Sequence, residues 1–266
     1  MQLICFNNTF IQADEISFYD VERFRVGDAC FESMLFINGQ IPLLNFHQIR
    51  LDEACRQLGF DSYTIDESQI IELLNSNELS EGMARVRLSL IRKSGKNYTP
   101  YGTAINSLLE TESVDQVFTS IKNLGNYPTF TKPTNDLGGI KHSSALLYVL
   151  AKQYAEANGW NEVLLKNDQN MFIEASSSNI FVISNGEAFT SKDTSGCVLG
   201  VVRACLLNFL PINLVDIEEE LLSKADEIFL TNGIQVIQCV DNYEGRPLTK
   251  ERSMEIMKQL KTKLSI

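Results

Sequence analysis

A lysine between a glycine pair and a helix, followed by a row of short strands, is the most constraining feature of this sequence. Lys141 comes directly after Gly138-Gly139-Ile140, whose glycines allow the backbone to turn tightly. An apolar-periodic run over residues 145–157 follows, and Gly159 ends it. The pattern predicts that Lys141 lies at a loop-to-helix junction.

A carboxylate lies further along the same stretch. Glu174 closes the apolar run 171–173, and the hydroxyl-rich residues 176–178 follow before a strand resumes at 180–183. The pattern predicts a carboxylate at a strand end, beside several hydrogen-bond donors. Four short strands over 162–166, 171–174, 180–183 and 187–190 should form an antiparallel meander. A single lysine or glutamate in such a place is usually a solvated surface residue, so the interpretation depends on the other motifs.

Two arginines share one face of a predicted strand in the first half of the chain. Residues 84–91 alternate with period two, which puts Val86, Leu88 and Leu90 in the core. Arg85 and Arg87 then point to the other side. They either lie at a solvated edge, or one of them binds a substrate carboxylate.

Another arginine, Arg50, falls on the buried side of a helix predicted over residues 46–58. An arginine in such a position needs an anion, because an unpaired buried charge is costly. The anion is either a protein carboxylate in a structural salt bridge or a phosphate, which the guanidinium fork suits. A helix opened by Gly200 offers backbone N–H groups to a phosphate, or is simply capped by that glycine.

Local signals divide the chain into two parts. Asn38-Gly39 predicts a hairpin that leads into a second strand over 41–44. Asp66 and Gln69 have the spacing of a capping box for a helix over 66–76. A loop-rich stretch with several glycines and prolines runs from Leu124 to Gly139 and indicates a domain boundary. We therefore expect an N-terminal domain over 1–118, a linker over 119–130 and a C-terminal domain over 131–266 that carries Lys141 and Glu174.

Composition narrows the class of partner. A net charge of −11 argues against nucleic-acid binding and favours a small-molecule ligand. The six cysteines are scattered among apolar neighbours and the two histidines lie near no cysteine pair, so we expect buried thiols and no metal. No apolar run approaches the roughly 18 residues of a membrane span. We expect a cytoplasmic protein that contacts no membrane.

Taken in order, the motifs resemble the class IV pyridoxal-phosphate-dependent aminotransferase family, which includes branched-chain and D-amino-acid aminotransferases and 4-amino-4-deoxychorismate lyase. The motifs that carry the resemblance are Gly27-Asp28-x-x-Phe31-Glu32, His47-x-x-Arg50-Leu51, Gly138-Gly139-Ile140-Lys141, Glu174-x-Ser-Ser-Ser-Asn179 and Gly200-x-x-Arg203. The resemblance implies an α+β fold of two domains, like that of D-amino-acid aminotransferase. A smaller N-terminal α/β sandwich would precede a larger, mainly antiparallel β domain with flanking helices. It also implies a homodimer with the cofactor between the domains.

The resemblance assigns roles to individual residues. Lys141 would form the Schiff base with pyridoxal 5'-phosphate and shuttle protons, and Glu174 would face the pyridine nitrogen. The residues implied for the cofactor phosphate are Arg50, Gly200, Val201, Val202 and Thr231. The hydroxyls implied at the ring edge are those of Ser176, Ser177 and Ser178. The residues implied for substrate binding are Phe31, Arg85, Arg87 and Asn232.

The reaction within the family stays open between two branches. One is amino-group transfer between an amino acid and a 2-oxo acid. The other is aminodeoxychorismate lyase chemistry on an amino-cyclohexadiene substrate, which releases pyruvate and 4-aminobenzoate for folate synthesis. Leu146 stands where branched-chain aminotransferases carry a tyrosine, whereas Gln235, Val236 and Cys239 depart from the lyase pattern. A non-catalytic homologue that only binds the cofactor is a third alternative.

Overall fold

The chain folds into two compact units. The structure is a computed structural model that describes residues 2–266, apart from the side chains of residues 18–20. The first unit comprises the residues up to Asp115 together with Ile140–Ser144 and Ile266, and the second comprises Gln116–Gly139 and Ala145–Ser265. Both units combine helices with a sheet, which is the α+β class expected from the sequence.

The first unit is built on a five-stranded antiparallel sheet of order β2-β1-β7-β4-β3, with a small β5-β6 hairpin beside it. The elements are β1 Leu3–Phe6, β2 Thr9–Gln12, β3 Ala29–Ile37, α1 Leu44–Leu58, α2 Glu67–Ser76, β4 Met83–Arg92, β5 Gly95–Lys96, β6 Thr99–Pro100 and β7 Ile105–Ser113. Two 3-10 segments, Ala13–Glu15 and Phe18–Val26, lie between β2 and β3.

One face of this sheet packs against α1 and α2. Val86, Leu88 and Leu90 of β4 are almost fully buried there, as their alternation predicted. Leu51 of α1 and Leu73 of α2 belong to the same apolar cluster. The opposite face of β4 carries Arg85 and Arg87, so the two faces differ in chemistry.

Two local predictions in the first unit need correction. The second hairpin strand expected over residues 41–44 is absent: only Gln40 pairs back with Ile37, and α1 already begins at Leu44. The side chain of Asp66 caps α2 through the N–H groups of Ser68 and Gln69, as expected. The reciprocal half of the capping box is not formed, because the Gln69 amide contacts Asn8 instead.

The second unit holds a nine-stranded, mainly antiparallel sheet of order β10-β9-β8-β15-β14-β11-β12-β13, with β16 paired to β15. The elements are β8 Ser120–Asn126, α3 Leu146–Ala157, β9 Glu162–Lys166, β10 Phe172–Ala175, β11 Asn179–Ser184, β12 Glu187–Ser191, α4 Val201–Leu207, β13 Ile212–Val215, α5 Glu219–Ser223, β14 Glu227–Asn232, β15 Val236–Tyr243, β16 Arg246–Pro247 and α6 Glu251–Leu264. Two 3-10 segments, Asp136–Gly139 and Asp193–Ser195, precede α3 and α4.

Strands β9 to β12 form the predicted antiparallel meander. Glu174 of β10 pairs with Asn179 of β11, so strands β8, β9, β10, β11, β14 and β15 form a closed circuit. All six strands contribute to one apolar cluster, which includes Ile180 of β11 and Leu230 of β14. On the opposite face of these two strands, the fully buried rings of Phe181 and Phe229 stack 4.7 Å apart. The end of β10 is therefore hydrogen-bonded to a strand on each side, β9 and β11.

The observed units differ from the predicted domains in two places. Residues 119–130, expected as a linker, contain β8, which hydrogen-bonds in parallel with β9 and β15. Its few buried residues, among them Ile121 and Leu124, are too sparse to show a clear period in the sequence. Residues 140–144 belong to the first unit, because they pair with the edge of its sheet, so Lys141 is not in the C-terminal unit with Glu174.

Candidate active site

Lys141 lies on a short segment that extends the first sheet beyond its edge strand β3. The N–H of Phe31 donates to the Lys141 carbonyl at 2.9 Å, and the N–H of Ser143 donates to the Ala29 carbonyl at 2.9 Å. Successive side chains of such a segment point to opposite faces. Ile140 accordingly joins the apolar core, whereas the Lys141 amine lies 4.6 Å from the centroid of the Phe31 ring.

Phe31 also contacts Arg87, so two cations meet one aromatic ring. The Arg87 guanidinium carbon lies 4.1 Å from the Phe31 centroid, close enough for a cation–π contact. Burial lowers the pKa of Arg87, with Glu110 acting in the opposite direction. Arg85, by contrast, pairs with Glu112 at the exposed end of the strand. The two predicted substrate arginines therefore have different settings.

A cavity of about 470 Å³ opens on this face of the first sheet. Arg87, Ser89, Leu108 and Glu110 contribute to its lining, together with Arg85. The walls combine positive charge with hydroxyl and carboxylate groups, which suits a small polar ligand.

On the core side of the same sheet, Arg50 forms a buried ion pair with Glu32. Arg50 Nε donates to Glu32 Oε1 at 2.8 Å and Nη2 donates to Oε2 at 2.5 Å, while His47 Nδ1 lies 2.6 Å from Oε2. Burial acts to raise the pKa of Glu32, but the charge and hydrogen bonds of Arg50, helped by His47, lower it to about 2. Burial also lowers the pKa of His47. The structural salt bridge considered from the sequence is thus present.

In the second unit, Glu174 is the last residue but one of β10, near the strand end as predicted, and is 3% exposed. Its Oε1 atom accepts hydrogen bonds from Lys132 Nζ and from the Tyr148 hydroxyl, both at 2.8 Å. Its Oε2 atom accepts from the N–H of Val198 at 2.8 Å. Burial and then the nearby Glu174 charge raise the pKa of Tyr148. The carboxylate is therefore held by three donors from three different segments.

The sequence did not reveal Lys132 or Tyr148 as site residues. Lys132 lies in the loop-rich stretch with no period to place it, and Tyr148 lies two residues beyond the position compared between family branches. A lysine in a loop rich in threonine and proline and a tyrosine on the first turn of α3 were the available signals. Neither identifies a partner 26 to 42 residues away.

The three serines after Glu174 are engaged by other protein groups. Ser176 and Ser177 donate their hydroxyls to the buried Glu162 at 2.5 and 2.8 Å. The Ser178 hydroxyl accepts from the Asn232 amide at 3.0 Å. A buried carboxylate requires donors, and the tight turn after β10 directs two hydroxyls towards it. Both hydroxyls thus donate to Glu162, and their expected role at a ring edge stays a prediction.

Asn232, expected to meet the substrate, is also committed within its own turn. Its side-chain oxygen accepts from the N–H groups of Ile234 at 3.0 Å and Gln235 at 2.7 Å. Its amide nitrogen is the group that contacts Ser178. Both ends of the side chain therefore stabilise the loop after β14.

The predicted phosphate residues of the second unit lie close together. Thr231 of β14 is the register partner of Asn179 in β11. Asn179 in turn donates to the Val198 carbonyl at 2.6 Å, and a Cβ at Gly200 would approach its side-chain oxygen to 1.9 Å. A side chain at position 200 would therefore require the Asn179 amide to move. The Thr231 hydroxyl is buried and has no hydrogen-bond partner in the described part of the chain.

No helix between residues 2 and 266 is both long and apolar enough to cross a membrane. Nor do those residues contain a group of three or more histidine, cysteine, aspartate or glutamate side chains placed to hold a metal ion.

Comparisons with known proteins agree with this arrangement. A family model described as amino-transferase class IV matches residues 29–243. The chain is 24% identical to D-alanine aminotransferase of Bacillus licheniformis, over 98% of this chain and 95% of the relative. It is 25% identical to aminodeoxychorismate lyase of Vibrio harveyi, over 79% and 81%. The structure resembles branched-chain aminotransferase from Thermoproteus uzoniensis with a TM-score of 0.86 at 18% identity, over 99% and 95% of the two chains. The chain belongs to the class IV aminotransferase family.

Proposed function

We propose that the protein binds pyridoxal phosphate through Lys141 and transfers an amino group between an amino acid and a 2-oxo acid. The observation that carries the cofactor assignment is the buried Thr231 hydroxyl, which lacks a partner among the described residues. An orphaned buried donor is costly unless a ligand completes it. A phosphate oxygen would do so, and the first N–H groups of α4 lie in the same cluster.

The remaining donors also suit the cofactor. Arg50, which Glu32 holds in a fixed orientation, is proposed as a charged phosphate ligand on the basis of the family. Val201 and Val202 would contribute backbone N–H groups only, since neither has a hydroxyl. The donor set thus combines one charged fork, one hydroxyl and main-chain groups.

Lys141 is proposed to carry the cofactor and then to move a proton at the substrate α-carbon. Bound pyridoxal phosphate supplies the electron sink that makes this proton acidic. The half-buried position of Lys141 against Phe31 restricts where its Nζ atom can reach. A lysine so placed can accept the α-carbon proton and return it without releasing it to solvent.

Glu174 is proposed to hold a proton on the ring nitrogen. A carboxylate does this well when it is ionised and fixed, and Glu174 is held by Lys132, Tyr148 and Val198. Arg87 is proposed to bind the substrate carboxylate within the cavity on the open face of the first sheet. We also expect a homodimer, on the basis of the family.

Aminodeoxychorismate lyase activity is the second candidate. It is favoured by Leu146, which replaces the tyrosine of branched-chain aminotransferases, and by the similarity to the Vibrio harveyi lyase. In the structure the Leu146 side chain is 69% exposed and offers no hydroxyl, and the nearby Tyr148 directs its own hydroxyl to Glu174.

One assay series tests both candidates. Purified protein mixed with pyridoxal phosphate should develop absorbance at about 410 to 430 nm, and Lys141→Ala should abolish it. The protein is then given amino acids with 2-oxoglutarate, or aminodeoxychorismate without a 2-oxo acid. Amino-group transfer supports the proposal, whereas pyruvate and 4-aminobenzoate from the second mixture would replace it with the lyase. A protein that stays colourless would refute both.

A further inference from the structure

Glu174 forms a buried triangle of polar atoms with Lys132 and Tyr148. We propose that Lys132 and Tyr148 are positioning residues that hold Glu174 through its Oε1 atom and leave its Oε2 atom as the acceptor for the ring nitrogen. This inference rests on the proposed cofactor, and it concerns two residues that the sequence motifs did not indicate.

The backbone fixes where the Lys132 side chain points. The N–H of Lys132 donates to the Lys166 carbonyl at 2.9 Å, and the Lys132 carbonyl accepts from the N–H of Asp168 at 3.2 Å. These contacts attach the residue to the end of β9. Its side chain is 8% exposed, so the ammonium has been taken out of water.

The Lys132 ammonium is fully coordinated inside the protein. Its Nζ atom donates to the Gly138 carbonyl at 3.2 Å, to the Tyr148 hydroxyl at 2.7 Å and to Glu174 Oε1 at 2.8 Å. An ammonium has three N–H donors, and three acceptors are present. An amine so occupied is a poor candidate for the covalent lysine, which agrees with the choice of Lys141.

Tyr148 closes the triangle. Its hydroxyl accepts from Lys132 and donates to Glu174 Oε1 at 2.8 Å, so it can satisfy both neighbours only while Glu174 is an acceptor. Tyr148 lies on the first turn of α3, and the helix therefore restricts the movement of its ring. The hydrogen bond from this hydroxyl therefore holds the Glu174 carboxylate in a fixed place relative to α3.

The count of hydrogen bonds singles out one oxygen of Glu174. A carboxylate offers about four lone-pair positions, two on each oxygen. Lys132 and Tyr148 occupy those of Oε1, and the N–H of Val198 occupies one of Oε2. Oε2 therefore has capacity for one further donor, which the N–H of a protonated ring nitrogen would supply.

The charge balance around Glu174 depends on Lys132. The ionisable groups that face the carboxylate are Lys132 from the loop before α3, Tyr148 from α3 and Cys197 from the segment before α4. Lys132 is the cation among these three. Without it, the carboxylate would stay buried but lose its charged partner, which is costly.

The test compares the holoenzyme with Lys132→Met, Tyr148→Phe and a matched control, Lys152→Met. The control breaks a lysine–glutamate pair in the same unit, Lys152 Nζ to Glu162 Oε1 at 3.0 Å, on a side chain that is 45% exposed. Two quantities are measured across pH: the absorbance of the bound cofactor at about 410 to 430 nm, and kcat. Glu174→Gln gives the size of the complete effect.

In Lys132→Met, both curves should move towards those of Glu174→Gln, because Oε1 of the buried carboxylate loses its charged partner. At neutral pH, kcat should fall roughly tenfold to a hundredfold, which is the range found when the hydrogen-bond partner of a metal-binding side chain is removed. Tyr148→Phe should shift the same way by less, and Lys132→Arg should restore the wild-type curves in part. Lys152→Met should match wild type.

Curves for Lys132→Met and Tyr148→Phe that coincide with wild type and Lys152→Met would overturn the inference. If Lys132→Met does not fold, as judged by circular dichroism, Tyr148→Phe decides alone. A wild-type protein that binds no cofactor would instead refute the proposed function, so the two failures are distinguishable.

Discussion

The buried pair of Glu32 and Arg50 gives a quantitative prediction for Glu32→Gln. The side chains are 2% and 11% exposed, so solvent screens their attraction weakly. Lowering the Glu32 pKa from 4.5 to about 2 corresponds to about 3 kcal/mol of folding stability at neutral pH. Removing one partner of a buried pair typically costs about 3 to 5 kcal/mol, which agrees. We expect Glu32→Gln to lower the free energy of unfolding by about 3 kcal/mol.

The matched control is Glu53→Gln on helix α1. Hydrogen bonds from Arg56 and Gln57 lower the pKa of Glu53 to about 2 as well. The Glu53 side chain is 41% exposed and that of Arg56 is 71% exposed, so water screens most of this interaction. We expect Glu53→Gln to cost less than about 1 kcal/mol. The contrast separates burial from hydrogen bonding.

The assay is urea unfolding of the cofactor-free protein, followed by far-ultraviolet circular dichroism at several pH values. A carboxyl whose folded pKa is lowered contributes stability above its unfolded pKa and loses it as pH falls towards the folded value. The gap between wild type and Glu32→Gln should therefore be constant above about pH 4.5 and narrow as pH falls towards 2. Equal midpoints for Glu32→Gln and Glu53→Gln at pH 7 would refute the reasoning.

Two further predictions concern ligand binding. Thr231→Val removes the orphaned hydroxyl at nearly constant volume, and it should weaken pyridoxal phosphate binding about tenfold or more in an absorbance titration, because a hydrogen bond to a charged group is lost. The control Thr190→Val removes a hydroxyl that donates to the Ile180 carbonyl and should leave the affinity near wild type. Equal cofactor affinities of Thr231→Val and Thr190→Val would remove Thr231 from the site. Arg87→Met should raise KM for the amino-acid substrate about tenfold with a smaller change in kcat, since a carboxylate contact serves binding. The control is Arg85→Met, because Arg85 pairs with Glu112. A KM change in Arg87→Met no larger than that in Arg85→Met would contradict this role.

Periodicity predicted the elements whose burial repeats regularly. The core side chains of β4 and the four strands of the meander are examples, because one buried face imposes a pattern readable in a single segment. The expected strand over 41–44 failed because Pro42 follows a turn and α1 begins at Leu44. Strand β8 was missed because only a few of its residues are buried.

The candidate site was predictable only in part, for a related reason. Glu174 and Lys141 stand in motifs that can be read locally, and their positions at a strand end and beside a helix agree with the structure. The partners of Glu174 come from distant segments, and the register of β11 with β14 that joins Asn179 to Thr231 spans more than fifty residues. Such contacts depend on the closed circuit of strands, which no local pattern encodes.

The most direct measurement of the central claim is the identity of the lysine that binds the cofactor. Purified protein is loaded with pyridoxal phosphate, the linkage is made permanent with borohydride, and peptides are analysed by mass spectrometry. The proposed role of Lys141 requires the modification on the peptide that contains Lys141, with none on Lys132, whose amine is occupied by Glu174, Tyr148 and Gly138. Modification of Lys132, or of no specific lysine, would contradict it.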